Sequence, residues 1–214
     1  MLLMLDLDNT LVDRDAAFRL VVADLLAEHG QPAADGDWVM SIDGSGFEPR
    51  EDVERAMVAR YGAEVPVAAI RALLNGGAAE RVELSDDTRS ALEAAKAGGW
   101  RLAIVTNGRV PQQEKKIRRT GLDAIVDAWV VSDGVGHRKP EPEIFHAAAV
   151  AAGTDLAHAW MIGDNESADI AGADRLGLPN VWVSNGRAWV EQTFRPTHVA
   201  LTCVAAIHHV LSRS

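Results

Sequence analysis

Two acidic residues, Asp6 and Asp8, stand two positions apart directly after the apolar run 2–5. In a β-strand, residues i and i+2 point to the same face, so the two carboxylates would emerge side by side. Two like charges at that spacing are costly unless a cation or a shared proton offsets them. The pair therefore indicates a metal or acid/base site, although a strand that ends in a polar Asp-Asn-Thr turn explains the same residues equally well.

Three further apolar runs are also followed by side chains that could do chemistry. Thr106 and Asn107 follow the run 102–105, Lys139 lies in the loop after 129–131, and Asp164 follows 160–162, with Asp169 five residues later. Each has an ordinary explanation, such as a helix cap, a solvated loop cation or a turn. Their joint occurrence in this order favours one shared site, because ligands of parallel α/β sheets bind beyond the carboxyl ends of the strands.

The elements that must position these residues alternate between strands and helices. We expect strands at 2–8, 101–107, 128–133, 159–164, 181–185 and 198–202, and helices at 88–97, 112–119, 142–152 and 167–176. This alternation predicts an α/β fold, a Rossmann-like parallel sheet with helices on both faces. The nearly continuous hydrophobicity of the strands fits a sheet that is buried on both sides.

Residues 15–86 have a different pattern, which predicts a small all-helical domain inserted into the α/β core. Helical spacing of apolar residues marks 15–29, 50–61 and 66–74, and we expect a loop at 35–49 with Trp38 and Phe47 as anchors. The predicted domains are therefore a core of residues 1–14 and 87–214 and a helical domain of residues 15–86.

Composition limits the classes of partner. The 214 residues carry a net charge of −10, which argues against a broad nucleic-acid or membrane surface. No apolar run approaches the ~20 residues of a membrane helix, and the first acidic residue comes too early for a signal peptide. With a single cysteine, Cys203, no internal disulfide can form. We expect a cytoplasmic location, and the sequence leaves the oligomeric state open.

Taken together, these residues give the chain a resemblance to the haloacid dehalogenase (HAD) superfamily, in particular to its phosphatases with a helical cap inserted after the first motif. The stretch from Asp6 to Thr10 resembles the family's nucleophile motif, and Thr106-Asn107 resembles the second motif. Lys139 fits the third, and Gly163-Asp164 with Asp169 looks like the acidic fourth. The resemblance covers essentially the whole chain and implies a HAD-like core with a small helical cap domain.

The resemblance implies a magnesium-dependent phosphatase that acts on a small phosphorylated metabolite. Asp6 would attack phosphorus and form an aspartyl-phosphate, and Asp8 would act as general acid and then as general base. Mg²⁺, a hard cation that prefers oxygen ligands, would be held by the Asp6 and Asp164 carboxylates and by the backbone carbonyl of Asp8.

The remaining motif residues would handle the phosphoryl group. Thr106 and Asn107 would donate hydrogen bonds to it, Lys139 would offset its charge, and Asp169 would orient Lys139 or a metal-bound water. Arg50, at the start of a predicted helix, and Arg109 are weaker candidates for contact with the substrate. A charged helix face is expected to be solvated; it comprises Glu114, Lys115, Lys116, Arg118 and Arg119.

Other functions are compatible with parts of this pattern. A phosphomutase would also use both Asp6 and Asp8. A haloacid dehalogenase on the same fold would need no metal and no acid at position 8, so Asp8 and Asp164 argue against it. A non-catalytic phospho-receiver would be about half this length and would lack the helical insertion, and a catalytically silent binding protein is a further alternative.

Overall fold

Six parallel strands form a single sheet in this structure, a computed structural model that describes residues 1–213. The strands are β1 (Leu2–Leu5), β2 (Arg101–Thr106), β3 (Ala128–Val131), β4 (Ala159–Gly163), β5 (Asn180–Val183) and β6 (His198–Ala200). Their order in the sheet is β3-β2-β1-β4-β5-β6, and every neighbouring pair is parallel. All six predicted strands are present, and the predicted fold class is confirmed.

Ten α-helices accompany the sheet over residues 1–213. They are α1 (Arg14–Glu28), α2 (Asp35–Asp43), α3 (Arg50–Tyr61), α4 (Val67–Gly76), α5 (Asp86–Ala97), α6 (Val110–Arg119), α7 (Ser132–Val135), α8 (Pro142–Ala151), α9 (Ala171–Arg175) and α10 (Cys203–Leu211). Short 3₁₀ turns occupy Gly44–Gly46 and Leu122–Ala124, and a π-helical turn, Glu166–Ile170, leads into α9. None of the helices within residues 1–213 combines the length and apolar character needed to cross a membrane.

Backbone contacts divide the chain into two compact units. The α/β unit contains residues 1–12 and the chain from 84 onward, and the helical unit contains residues 13–83. The sheet of the α/β unit is covered on one face by α8, whose apolar residues join a buried cluster with alternate residues of β1, β2 and β4. Helices α5 and α10 pack against each other and against the other residues of β2 and β4. This arrangement buries both faces of the central strands, as their uninterrupted apolar sequences require.

The first strand is shorter than the sequence indicates, because the chain turns sharply after Asp8. Asn9 adopts a left-handed conformation with φ of 56°, which asparagine tolerates better than most residues. The carbonyl of Leu7 accepts hydrogen bonds from the backbone nitrogens of Leu11 (3.0 Å) and Val12 (3.1 Å). The turn leaves Asp6 and Asp8 at the carboxyl edge of the sheet.

The helical unit is built from α1 to α4, and here the predicted loop at 35–49 is wrong for its first half. Residues 35–43 form α2, in which Val39 is fully buried. Asp35 and Asp37 lie in its first turn, where negative charge interacts favourably with the positive end of the helix dipole. Trp38 packs edge-on against Tyr61, with ring centroids 5.9 Å apart. Phe47 is 55% exposed, so it does not anchor this segment.

Candidate active site

Asp6 is held at the end of β1 by the sheet itself. Its backbone nitrogen donates to the carbonyl of Ile162 in β4 at 2.9 Å, which extends the ladder by one residue beyond the strand. The side chain of Asp6 is buried, with the whole residue 7% exposed. Burial raises the pKa of Asp6 well above its usual range, against the opposing charge of Lys139. A buried carboxylate here therefore needs further positive charge to remain ionised.

Lys139 places its ammonium group among three oxygen acceptors. Nζ lies 2.6 Å from Oδ1 of Asp6, 2.7 Å from Oδ1 of Asp169 and 2.6 Å from the carbonyl oxygen of Val105. The contacts to Asp6 and Val105 are hydrogen bonds, and the contact to Asp169 is an ion pair. Burial disfavours the charged form, but the Asp169 and Asp6 carboxylates outweigh it and raise the pKa of Lys139 above its ordinary value. Lys139 is therefore a fixed internal cation of the site.

Asn107 fixes the loop that carries this lysine. Its Oδ1 accepts from the backbone nitrogen of Lys139 at 2.8 Å, and its Nδ2 donates to the carbonyl oxygen of Lys139 at 3.0 Å. A side-chain amide has two donor hydrogens, so one of them remains after the bond to Lys139. The predicted contact between Asn107 and a phosphoryl group stays a prediction, and the structure adds a second task for the same side chain.

Asp169 is fully buried because the preceding strand makes room for it. A Cβ atom at Gly163 would overlap the carboxylate of Asp169, so only glycine fits at the end of β4. Oδ2 of Asp169 accepts from the backbone nitrogen of Asn165 at 3.0 Å. Asn165 in turn caps the π-helical turn, since its Oδ1 accepts from the backbone nitrogen of Ala168 at 2.7 Å. Asp169 also forms an ion pair with Lys139, and the orienting role expected for Asp169 stays a prediction.

Three buried carboxylates, those of Asp6, Asp164 and Asp169, have oxygen atoms within 4.8 Å of one another. Burial, reinforced by the charge of Asp169, raises the pKa of Asp164 to about 7. Three acidic groups around one buried lysine leave an excess of negative charge, which a divalent cation would offset. An all-oxygen donor set suits Mg²⁺, so the residues present fit the predicted ion.

Arg187, in the segment after β5, is a contact of the site that the sequence analysis did not identify. Its Nη2 lies 3.0 Å from Oδ2 of Asp164 and 2.7 Å from the carbonyl oxygen of the same residue. Nε1 of Trp182 donates to that carbonyl at 2.8 Å. These bonds fix the orientation of Asp164. The sequence offers one signal for Arg187, its position two residues after the predicted strand 181–185, at the edge of the sheet where the motifs lie.

Two residues of α6, Gln113 and Lys116, contact Asp8. Nζ of Lys116 lies 2.8 and 2.6 Å from the two carboxylate oxygens of Asp8, and Nε2 of Gln113 lies 3.1 Å from Oδ2. Lys116 is only 4% exposed, so the predicted solvated face is wrong for this residue. Lys115, Arg118 and Arg119 are exposed as expected. The charge pattern of a helix cannot show which long side chain bends inward to a distant partner.

The two arginines suggested as substrate contacts belong to different units of the chain. Arg50 begins α3 in the helical unit, and its Nη1 lies 3.5 Å from Oδ1 of the buried Asp43. Asp43 also pairs with the buried Arg14. Arg109 is exposed at the start of α6. Contact of either arginine with a substrate stays a prediction.

The strand ends thus bring the predicted motifs together. Comparison with known proteins identifies the family. The family model described as haloacid dehalogenase-like hydrolase matches residues 3–183. The chain belongs to this family. Among solved structures, this HAD-like protein is similar to the magnesium-bound hydrolase YfnB of Bacillus subtilis, with a TM-score of 0.78, 24% identity and coverage of 98% of this chain and 97% of that one. A likeness at this identity supports the fold.

Curated relatives of this HAD-like protein include two phosphatases. Glyceraldehyde 3-phosphate phosphatase of Pyrococcus abyssi is 38% identical over 89 residues, which make up 42% of this chain and 37% of that protein. Phosphoglycolate phosphatase of Cupriavidus necator is 29% identical over 188 residues, or 86% of this chain and 81% of that protein. The chain spans less than half the length of several curated relatives that it matches.

Proposed function

We propose that this HAD-like protein is a magnesium-dependent phosphatase that hydrolyses a small phosphomonoester through an aspartyl-phosphate. The observation that carries the proposal is the cluster of Asp6, Asp164 and Asp169 around Lys139, with Asp8 two residues from Asp6. A bound Mg²⁺ would supply positive charge that offsets repulsion between the phosphate and the acidic cluster. Asp6, Asp164 and the backbone carbonyl of Asp8 are the proposed ligands.

In the proposed reaction the two aspartates of the first motif divide the chemistry. An oxygen of Asp6 forms a bond to phosphorus while the bond from phosphorus to the leaving oxygen breaks, and Asp8 gives that oxygen a proton. Asp8 then takes a proton from a water molecule that attacks phosphorus and releases Asp6. The exposure of Asp8, whose side chain is 26% accessible, is consistent with proton exchange at the mouth of the site.

Binding of the phosphoryl group is proposed for Thr106, Asn107 and Lys139. Thr106 is buried next to the site, and the remaining amide hydrogen of Asn107 is a second donor. Lys139 contributes chiefly charge, since it already donates hydrogen bonds to Asp6 and Val105 and forms an ion pair with Asp169. Fixed positive charge and aligned donors are the main means by which proteins stabilise phosphoryl transfer.

The proposed substrates are small phosphorylated metabolites, because the phosphatases to which the chain is similar are named for compounds of that class. Residues 15–86 are proposed to form a cap that selects the leaving group, with Arg50 as a contact. A role for the cap suits this chemistry, since attack on the phosphate requires exclusion of bulk water.

The deciding experiment measures release of inorganic phosphate from p-nitrophenyl phosphate and from a panel of phosphorylated metabolites. We expect repeated turnover with Mg²⁺, loss of turnover in EDTA, and no turnover by Asp6→Asn. Activity that survives Asp6→Asn would contradict the nucleophile assignment. Transfer of the phosphoryl group to another position of the substrate, without phosphate release, would instead identify a phosphomutase.

A further inference from the structure

Helix α6 directs two buried polar side chains toward the candidate site from outside the four motifs. Gln113 is 1% exposed and Lys116 is 4% exposed, and they are three residues apart, so they lie on the same side of the helix. Polar groups this deeply buried are costly unless they are paired. Both find their partners among Asp8 and Thr106, two residues to which the proposed reaction assigns roles.

The orientation of the Gln113 amide follows from its contact with Asp8. An ionised carboxylate only accepts hydrogen bonds, so the amide group facing Oδ2 of Asp8 must be the NH₂ group. The same nitrogen lies 2.6 Å from Oγ1 of Thr106. The Thr106 oxygen therefore accepts from Gln113, and its hydroxyl hydrogen is left to donate; in the structure it donates to the backbone carbonyl of Asn107 over a long distance of 3.5 Å. Gln113 in this way makes the Thr106 hydroxyl a hydrogen-bond donor.

Lys116 fixes the carboxylate of Asp8. Its ammonium contacts both carboxylate oxygens of Asp8, at 2.8 and 2.6 Å, and its side chain is 5% exposed. A contact to both oxygens limits rotation of the carboxylate about its terminal torsion, which is otherwise broad. Because Gln113 also contacts Asp8, two residues of one helix hold the same carboxylate.

We propose that Gln113 and Lys116 are positioning residues, which hold the Asp8 carboxylate and the Thr106 hydroxyl in one fixed arrangement next to Asp6. The inference rests on the proposed function, since it assigns these residues an effect on the proton transfer by Asp8. Misplacement of a reacting group by about 1 Å can lower a rate by about a hundredfold. Gln113 and Lys116 contact Asp8 through its side-chain carboxylate, whereas the proposed metal ligand of this residue is its backbone carbonyl.

The test compares Lys116→Met, Lys116→Arg and Gln113→Ala on two probes, p-nitrophenyl phosphate and β-glycerol phosphate. The p-nitrophenolate group leaves without a proton, whereas the glycerol alkoxide needs one from Asp8. General acid catalysis contributes roughly 10²–10⁴-fold to rates, so we expect Lys116→Met to lower kcat/KM about tenfold on the first probe and about a hundredfold on the second. KM should change less than about twofold, and Lys116→Arg should recover part of the loss.

Lys115→Met is the matched control, because it removes the same charge from the neighbouring, exposed residue. It should leave kcat/KM for both probes within about twofold of the wild-type value, as expected for a surface substitution. Melting temperatures of all variants establish that they are folded. Should Lys116→Met fail to fold, Gln113→Ala, which removes the contacts to both Asp8 and Thr106, is expected to show the same larger loss on β-glycerol phosphate.

A double-mutant cycle decides whether Lys116 acts through Asp8. In an Asp8→Asn background, Lys116→Met should cost less than about twofold on p-nitrophenyl phosphate, since residues that act as a unit are strongly non-additive. An equal loss with and without Asp8, or an equal loss on both probes, would overturn the positioning role. Failure of the proposed function is recognised separately, by a wild-type protein without turnover or by an active Asp6→Asn variant.

Discussion

At the scale of single residues, the candidate site must offset the repulsion between its buried carboxylates. Three buried carboxylates surround the ammonium of Lys139, and the nearest additional cation, Arg187, is 47% exposed. Lys139 contacts Asp6 and Asp169 directly, so it offsets the charge of two of the three acids. Removal of one partner from a buried ion pair leaves the other charge uncompensated, which is more costly than loss of a surface pair.

Substitution Lys139→Met should therefore abolish phosphatase activity and destabilise the α/β unit. We expect a loss of about 3 kcal/mol in the free energy of unfolding, from the range typical of broken buried pairs, measured by urea denaturation without metal. Lys115→Met, on the surface of α6, is the control. A Lys139→Met protein as stable as the control would mean that the acidic cluster does not depend on this lysine.

At the scale of elements, the site depends on close approach between the end of β4 and the π-helical turn that follows it. Gly163 ends the strand, and the carboxylate of Asp169 occupies the space where a side chain at 163 would lie. The carboxylate is then fixed by Asn165 and Lys139. The π-helical turn thus packs the carboxylate of Asp169 directly against the end of β4.

Gly163→Ala tests this packing with a single methyl group. The added Cβ should displace Asp169, loosen the contact to Lys139 and lower kcat by at least about tenfold, since small displacements near reacting groups have large effects. Stability should fall by about 1–3 kcal/mol, as for other overpacked sites. Gly36→Ala, where no atom lies within 4 Å of the added methyl, should leave kcat unchanged and should not lower stability, because alanine is a better helix former than glycine. Unaltered activity of Gly163→Ala would argue against a role for Asp169.

At the scale of the whole molecule, acidic groups dominate, with 31 aspartates and glutamates against 21 lysines and arginines. The surface acids are solvated, whereas those of the candidate site are not. Folding the protein without a cation therefore requires carboxylates to remain close together in a buried environment. Stability should consequently depend on both pH and magnesium.

Without metal, stability should decrease as the pH rises from about 4 to about 7. Burial raises the pKa of Asp164 to about 7 from 3.8, so in this window the folded state binds more protons than the unfolded state, and the free energy of unfolding falls with pH. Melting curves in EDTA at several pH values measure this decline, and Asp164→Asn should flatten it. A steady increase in melting temperature over the same range would contradict the assignment.

Bound magnesium should oppose the loss of stability that we expect at higher pH. At pH 8 the Asp164 carboxyl, whose pKa is about 7, is mostly ionised, and binding of Mg²⁺ to the folded state raises the melting temperature, whereas at pH 5 protons compete for the same oxygens. We therefore expect a larger increase at pH 8 than at pH 5, and little increase for Asp164→Asn at either pH. Equal shifts in the wild-type protein and in Asp164→Asn would place magnesium binding elsewhere.

The sequence by itself determined the α/β fold and the order of the motifs, because strands buried on both faces require unbroken apolar runs and the polar residues that follow them share one edge of a parallel sheet. It did not determine α2, because three aspartates, a serine and a glycine give this segment the composition of a loop, and packing in the folded protein stabilises the helix. Nor did it identify Arg187, Gln113 or the inward direction of Lys116. These residues are set by partners up to 108 positions away in the chain, and only the tertiary structure decides which long polar side chain meets a distant carboxylate.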